Sequence, residues 1–280
     1  MNTSSDKRAS YARKKTIQIA EAIGGAHIGG IFSIIDFMIC LYEGYINDGL
    51  SPKDLYKGKF FSRPKIVFSK GHCYLAQLVA LDEICGENFY TNNYMKEGTY
   101  FFGHPKRIIG NDNFSVSTGA LGQGITFANG IALSEKITGH VDGGVISIIG
   151  DGELNEGSCW EAIQFAQQHQ LKHIIIIDNN NQMSLGKTED ILSFRNITEM
   201  LNIINITTYK ISGHDHSEIK KIILNNIFNK NFNNFPICIV LNTIKGKGVS
   251  FMEGDFKWHH RRFKNDEYQL ALNELEKNEK

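Results

Sequence analysis

The chain has 280 residues, 41% of them hydrophobic, enough to bury a full core in one large domain. Its 30 basic and 30 acidic residues balance, which leaves no long-range attraction to nucleic acid or to an anionic membrane. Cys40, Cys73, Cys85, Cys159 and Cys238 are scattered without a Cys-x-x-Cys pair, which argues against zinc and against a disulfide framework.

The polar start leads into no apolar run with a cleavage site, so a cytoplasmic location is expected. A helix is expected over Ser10–Ile23, with Lys7, Arg8, Arg13, Lys14 and Lys15 forming a solvated basic face. A second is expected over Ile31–Tyr45. Its apolar stretch Ile31–Tyr42 contains Asp36 and is too short to span a bilayer. A strand at Ile66–Phe68 and helices at His72–Cys85 and Leu121–Ile137 follow. Val145-Ile146-Ser147-Ile148-Ile149 is a β-branched run ending in glycine, the pattern of a buried parallel strand. Glu156–Gln170 carries Trp160, Ile163, Phe165 and Ala166 at roughly helical spacing, and His173–Asp178 is another apolar strand.

Helices are then expected at Glu189–Ile204 and Ser217–Phe228, and strands at Thr207–Ile211 and Pro236–Thr243. The asparagine-rich stretch Asn225–Asn234 reads as a polar connector. Arg261–Lys280 is expected to be a short helix with a frayed tail; the domain is expected to have its core over about residues 10–262, the extent of the family resemblance given below, with residues 263–280 as a C-terminal tail. This alternation predicts an α/β fold, a single domain with a doubly wound, mostly parallel sheet and helices on both faces.

Gly150-Asp151-Gly152 sits at a strand's carboxyl end, where ligands of open α/β sheets bind. An aspartate there repels phosphate unless a divalent cation lies between them. Magnesium takes an octahedral set of hard oxygens, and the chain offers the Asp151 carboxylate, the Asn180 side-chain oxygen and a main-chain carbonyl near Gln182. Gly150 and Gly152 carry no Cβ and let the backbone approach a ligand. The same strand, Gly-x-Gly turn and helix, with Asp178 ending the next strand, imitate a dinucleotide fingerprint. Its third glycine is replaced by Asn155, and the next glycine is Gly157. On these residues alone a metal site, a dinucleotide turn and an ordinary turn all stay open.

Further motifs are Ala26-His27-Ile28-Gly29-Gly30, Ser69-Lys70-Gly71-His72, Gly103-His104-Pro105 and Ser117-Thr118-Gly119-Ala120-Leu121-Gly122-Gln123-Gly124. Beyond the Gly150–Gly157 stretch and Asn180 come Lys245-Gly246-Lys247-Gly248 and Trp258-His259. In this order they resemble the amino-terminal half of transketolase, a thiamine-diphosphate enzyme. The resemblance implies a thiamine-diphosphate-binding fold and transfer of a two-carbon ketol unit from a ketose phosphate to an aldose phosphate. It implies that Asp151, Asn180 and the Gln182 carbonyl hold magnesium, calcium or manganese, and that Gly150 and Gly152 lie against the diphosphate. It also implies that His72 contacts the cofactor, that Gly119, Ala120 and Leu121 lie beside its aminopyrimidine, and that Glu156 sits between two cofactor sites. His27, His104 and His259 would surround the substrate and assist proton transfer, which suits an imidazole of ordinary pKa about 6.5.

Two positions depart from the family. Ile28 stands where proline is common, so that turn is less pre-organised. His260 follows Trp258-His259 where glycine is common, so either His259 keeps its role or His260 takes it. His140, His169, His173, His214 and His216 read as structural.

The family continues past Trp-His into a pyrimidine-binding domain whose glutamate activates the cofactor, and no segment here matches it. The expectation is a split transketolase in which a separate C-terminal subunit supplies that acid and two of each subunit form a heterotetramer. Neither nucleic acid nor a membrane is expected as a partner. Three alternatives remain: a non-catalytic cofactor-binding module, an NAD-type oxidoreductase, and a related thiamine enzyme such as a 1-deoxyxylulose-phosphate synthase or a 2-oxoacid dehydrogenase alpha subunit. Ser69–His72 and Trp258-His259 favour transketolase.

Overall fold

Parallel pairing of short apolar runs builds the centre of the computed structural model, which describes residues 4–140, 143–183, 186–192, 196–230, 232 and 235–277. Among these residues the strands are β1 (Lys65–Phe68), β2 (Val145–Gly150), β3 (His173–Asn179), β4 (Thr207–Ser212) and β5 (Ile237–Asn242). They form one sheet in the order β1-β2-β3-β5-β4, every pair parallel.

Successive side chains of a strand point to opposite faces, and the isoleucine-rich strands use both. Ile66, Ile146, Ile174 and Ile237 stand in one register row and pack with Phe32, Ile35 and Leu78 of the helices Ile28–Asn47 and Leu75–Cys85. Ile149, Ile177 and Val240 face the other way, against Ile125, Leu154, Ile163 and Leu201. Each fully buried side chain of this kind contributes roughly 1.5–3 kcal/mol. The expected doubly covered sheet is therefore the observed one, with β4 as a half-exposed edge.

Several boundaries differ from those predicted. The first helix begins at Ser5, because Ser4 caps it by accepting from the Lys7 amide. Its basic face is not wholly solvated: Arg13 is buried and pairs with Asp36 at 2.5 Å. The second helix covers Ile28–Asn47, longer than the predicted span, and is long and apolar enough to cross a membrane. Here it is the core helix, buried along most of its length. The expected helix Leu121–Ile137 starts only at Gly124, since the Gly122 amide is bound to Glu153.

The expected helix Glu189–Ile204 comes as Thr188–Ile191 and Ile197–Ile203, the second capped by Asn196; residues 193–195 lie outside the described residues. Ser217–Phe228 begins at His216 under an Asp215 cap and continues into a π-helical turn, Ile223–Ile227. The C-terminal helix Glu267–Lys277 docks on the first helix, with Ala271 and Leu275 buried and Ser10 Oγ donating to the Leu275 carbonyl at 3.3 Å.

Candidate functional site

Four strands deliver the site from their carboxyl ends. β2 ends at Gly150, and Asp151 follows in a 3-10 turn, 4% exposed. One of its carboxylate oxygens accepts from the Gly152 amide at 3.0 Å and the other from the Gln182 amide at 3.2 Å and the Thr188 hydroxyl at 3.3 Å. Burial and the neighbouring Asp178 push its pKa up to about 6. β3 carries the chain to Asn180, whose side-chain oxygen is buried and accepts no hydrogen bond. The Gln182 carbonyl lies 3.5 Å from the Lys245 ammonium. A Cβ on Gly150 would meet nothing within 4 Å, so open space lies over that backbone. Of the expected metal set, Asp151 and Gln182 are in hydrogen-bond contact through the Gln182 amide, and Asn180, two residues earlier, carries an unused acceptor.

Beside it lie two hubs, Asp178, offered by the sequence only as the acid of a dinucleotide fingerprint, and Glu153, which sequence reasoning did not single out. Asp178 receives the Ser33 hydroxyl at 2.6 Å, the Thr243 hydroxyl at 2.5 Å and the Lys70 ammonium, a fully buried ion pair. Burial opposes the charge on Lys70, but the Asp178 carboxylate holds its pKa above the ordinary lysine value. Glu153, equally buried, accepts the Ser69 hydroxyl at 2.6 Å, the Gly122 amide at 2.9 Å and the Gly150 amide at 3.3 Å. It ties the ends of β1 and β2 to the Ser117–Gly124 loop.

Next to this stands a cluster of imidazoles. His27 caps the Ile28–Asn47 helix, and an antiparallel bridge between Ala26 and Arg261 brings the end of the chain against it. The His27 ring centroid lies 4.9 Å from that of His72, 5.3 Å from His259 and 4.4 Å from His260. His72 and His259 are 5.3 Å apart. Buried Trp258, whose indole donates to the Phe251 carbonyl at 3.2 Å, anchors the segment that carries His259. Burial, with smaller repulsions from neighbouring cations and imidazoles, lowers the pKa of His27 to about 3, His72 to about 2 and His259 to about 4. These rings are therefore neutral near pH 7, well below the ordinary value assumed from sequence.

His104 is exposed at the rim. Its ring would lie 3.2 Å from a Cβ on Gly71 and 3.5 Å from one on Gly119, so the Gly103–Pro105 and Ser117–Gly124 motifs meet over the end of β1.

Comparison with known proteins gives the same answer over the whole chain. Residues 4–279 match the thiamine diphosphate binding domain of transketolase. The chain belongs to the transketolase family. It is 32% identical over 278 residues to one subunit of the apulose-4-phosphate transketolase of Actinobacillus succinogenes, covering 96% of this chain and 95% of that one. It is 32% identical over 276 residues to a 6-deoxy-6-sulfo-D-fructose transketolase subunit of a Clostridium species, with the same coverage of each chain. The transketolase structure from Leishmania mexicana superposes with a TM-score of 0.78 at 23% identity, covering 99% of this chain and 45% of that one. The chain thus spans less than half the length of that transketolase.

In this transketolase domain the remaining predicted residues lie on an open face. Gly119, Ala120, Leu121 and Glu156 are all exposed, and Glu156 caps the helix Gly157–Gln168. A cavity of about 690 Å³ between the loop around residues 107–117 and the helix Gly124–Ile137 contains none of the site residues. The predicted site residues gather near the strand ends and do not line that cavity.

Of the histidines read as structural, His140 and His169 are exposed, whereas His173 and His214 are held by hydrogen bonds within the fold. His173 is buried between Asn129 at 2.8 Å and Ser147 at 2.7 Å. His214 links Asp36 at 2.7 Å to the Ile244 amide at 2.8 Å. Ile28 fills the core as the first residue of its helix, a position that proline also tolerates.

Proposed function

We propose that this chain is the thiamine-diphosphate-binding subunit of a two-subunit transketolase, transferring a two-carbon ketol unit from a ketose phosphate to an aldose phosphate. A separate C-terminal subunit would supply the pyrimidine-binding domain and its activating acid, two of each subunit forming a heterotetramer. The observation that carries this reading is the division of the site. Asp151, Asn180 and Gln182 follow the ends of β2 and β3, with the Asn180 oxygen unpartnered, while Gly119, Ala120, Leu121 and Glu156 lie exposed on the side that a second domain would cover. Two relatives matched along nearly their whole length are themselves named as subunits.

In this reading Asp151, Asn180 and the Gln182 carbonyl hold a divalent cation, magnesium foremost, and Gly150 and Gly152 face the diphosphate. The raised pKa of Asp151 fits a carboxylate awaiting a cation, which would restore its charged form. His72 lies against the cofactor, and Gly119–Leu121 beside its aminopyrimidine. Thiamine diphosphate, when bound, supplies the electron sink for breaking and making a carbon–carbon bond next to a carbonyl. His27, His104 and His259 orient the sugar. A neutral imidazole has one donor and one acceptor nitrogen, which suits a hydroxyl next to a carbonyl. Negative charge developing on a substrate oxygen raises the pKa of a nearby imidazole, so proton transfer is favoured where and when that charge appears.

The test is a mixing experiment with thiamine diphosphate and magnesium present. Ketol transfer is expected when this chain is combined with a C-terminal transketolase subunit, and from neither by itself. Turnover by this chain alone would refute the divided site. A melting temperature raised by nicotinamide cofactor and not by thiamine diphosphate would refute the cofactor.

A further inference from the structure

Lys70 and Asp178 form an ion pair shut away from water, their side chains 4% and 0% exposed. A pair this deep is a poor source of stability, because desolvating both charges offsets most of their attraction. What it does impose is registration, since each charge must keep its partners or be left uncompensated.

Those partners come from separate segments of the site. The Lys70 ammonium also donates to the Gly30 carbonyl at 3.1 Å, near the start of the helix that His27 caps. From the next turn of that helix, the Ser33 hydroxyl donates at 2.6 Å to the same Asp178 oxygen that Lys70 meets. The other oxygen accepts from the Thr243 hydroxyl just past β5. The Asp178 main-chain carbonyl accepts the Asp151 amide at 3.1 Å. A Cβ on Gly30 would stand 2.6 Å from Cys73 Sγ, so a glycine there lets the helix start press on the turn that carries His72.

His27 and His72 need such a frame. Their ring centroids lie 4.9 Å apart at an interplanar angle of 64°, yet among the described residues neither imidazole forms a hydrogen bond. Their mutual placement therefore depends on the main chain beneath them. Resting on the catalytic reading given above, we propose that Lys70 is a positioning residue that, through Asp178 and the Gly30 carbonyl, sets His27 against His72.

The experiment has two readouts. The first is proton–carbon correlation NMR of the imidazole C–H groups in the chain without ligands. In Lys70→Gln the His27 and His72 signals are expected to move together, because each ring lies close to the other, while those of exposed His140 and His169 stay in place. The second is ketol transfer by the assembled enzyme at saturating thiamine diphosphate and magnesium. There kcat should fall by about ten- to a hundred-fold, the scale of a small misplacement, with KM for the ketose within about three-fold. Ser33→Ala, which removes one hydroxyl from the same hub, is expected to act in the same direction by about three- to ten-fold, and it decides the matter if Lys70→Gln does not fold. Imidazole signals that stay in place, a kcat within about two-fold of wild type, or a loss confined to KM would overturn the proposal whatever the melting temperature, leaving the pair a structural tie. Wild-type enzyme without ketol transfer would refute the catalytic reading itself, and the imidazole signals would still decide whether Lys70 holds the two turns together.

Discussion

The hydroxyl of Ser69 donates to the buried carboxylate of Glu153 at 2.6 Å, joining the turn after β1 to the turn after β2 across 84 positions of sequence. Because two main-chain amides also donate to this carboxylate, both of its oxygens act as acceptors. Glu153→Gln would turn one acceptor into a donor facing another donor. A loss of about 1–3 kcal/mol in stability is expected, read from the midpoint of urea unfolding. An unchanged midpoint would mean that the amides are satisfied some other way.

Asp151→Ala removes the only carboxylate of the proposed cation set. Metal-dependent binding of thiamine diphosphate is expected to fall by about a hundred-fold or more, since even residues supporting a ligand are worth 10–100-fold. The variant without ligands should lose no more than about 1–3 kcal/mol at neutral pH, because relief of a carboxylate that burial disfavours offsets part of the cost of two amides and a hydroxyl left without their acceptor. Calorimetry with and without magnesium checks the first point, and thermal unfolding the second. Unchanged affinity would take Asp151 out of the metal shell.

His259 and His260 compete for one role, and their surroundings separate them. His259 is half-buried with its ring against both His27 and His72, whereas His260 is exposed and meets His27. His259→Ala is expected to lower kcat of the assembled enzyme by about a hundred-fold or more. His260→Gly should stay within about ten-fold. The reverse order would assign the substrate contact to His260.

Acid should destabilise the chain before its carboxylates titrate. Burial pulls the pKa of His27, His72, His173 and His259 down to about 3, 2, 3 and 4 from an unfolded value of 6.5. As pH drops below 6.5 the unfolded chain binds protons that the folded chain refuses, so stability is lost on acidification. Asp151, raised to about 6 from 3.8, works the opposite way between those values, as do Glu83, Asp112 and Glu153, which burial also raises; the histidines act from pH 6.5 downward, before most of these carboxyls begin to titrate in the unfolded chain. For fully buried His173 alone the slope reaches about 1.4 kcal/mol per pH unit. The melting temperature should therefore fall between pH 7 and pH 5, and a flat or rising profile would contradict the neutral imidazole cluster.

Much of this was legible in the chain itself. The β-branched runs of β2 and β3 carry their own signal, because a strand covered on both faces needs apolar side chains in both directions. The Ser69–His72 motif after β1, the glycine turn after β2 and Asn180 after β3 follow strand ends, and a parallel sheet gathers such ends on one side. Glu153 was not legible as a hub, because an acidic residue two places after an aspartate looks like an ordinary solvated charge.

By itself, then, the sequence determined the parallel α/β architecture and the family, since these rest on local pattern and on the order of short motifs. The tertiary structure decided which charges are buried and what they face. Arg13 leaves the expected solvated face to meet Asp36, Lys70 is neutralised by Asp178 while Lys245 is not, and the bridge from Ala26 to Arg261 sets both His259 and His260 against His27. The physical reason is range: helix and strand periodicity acts within a few residues, whereas desolvation and ion pairing depend on neighbours that only folding brings together.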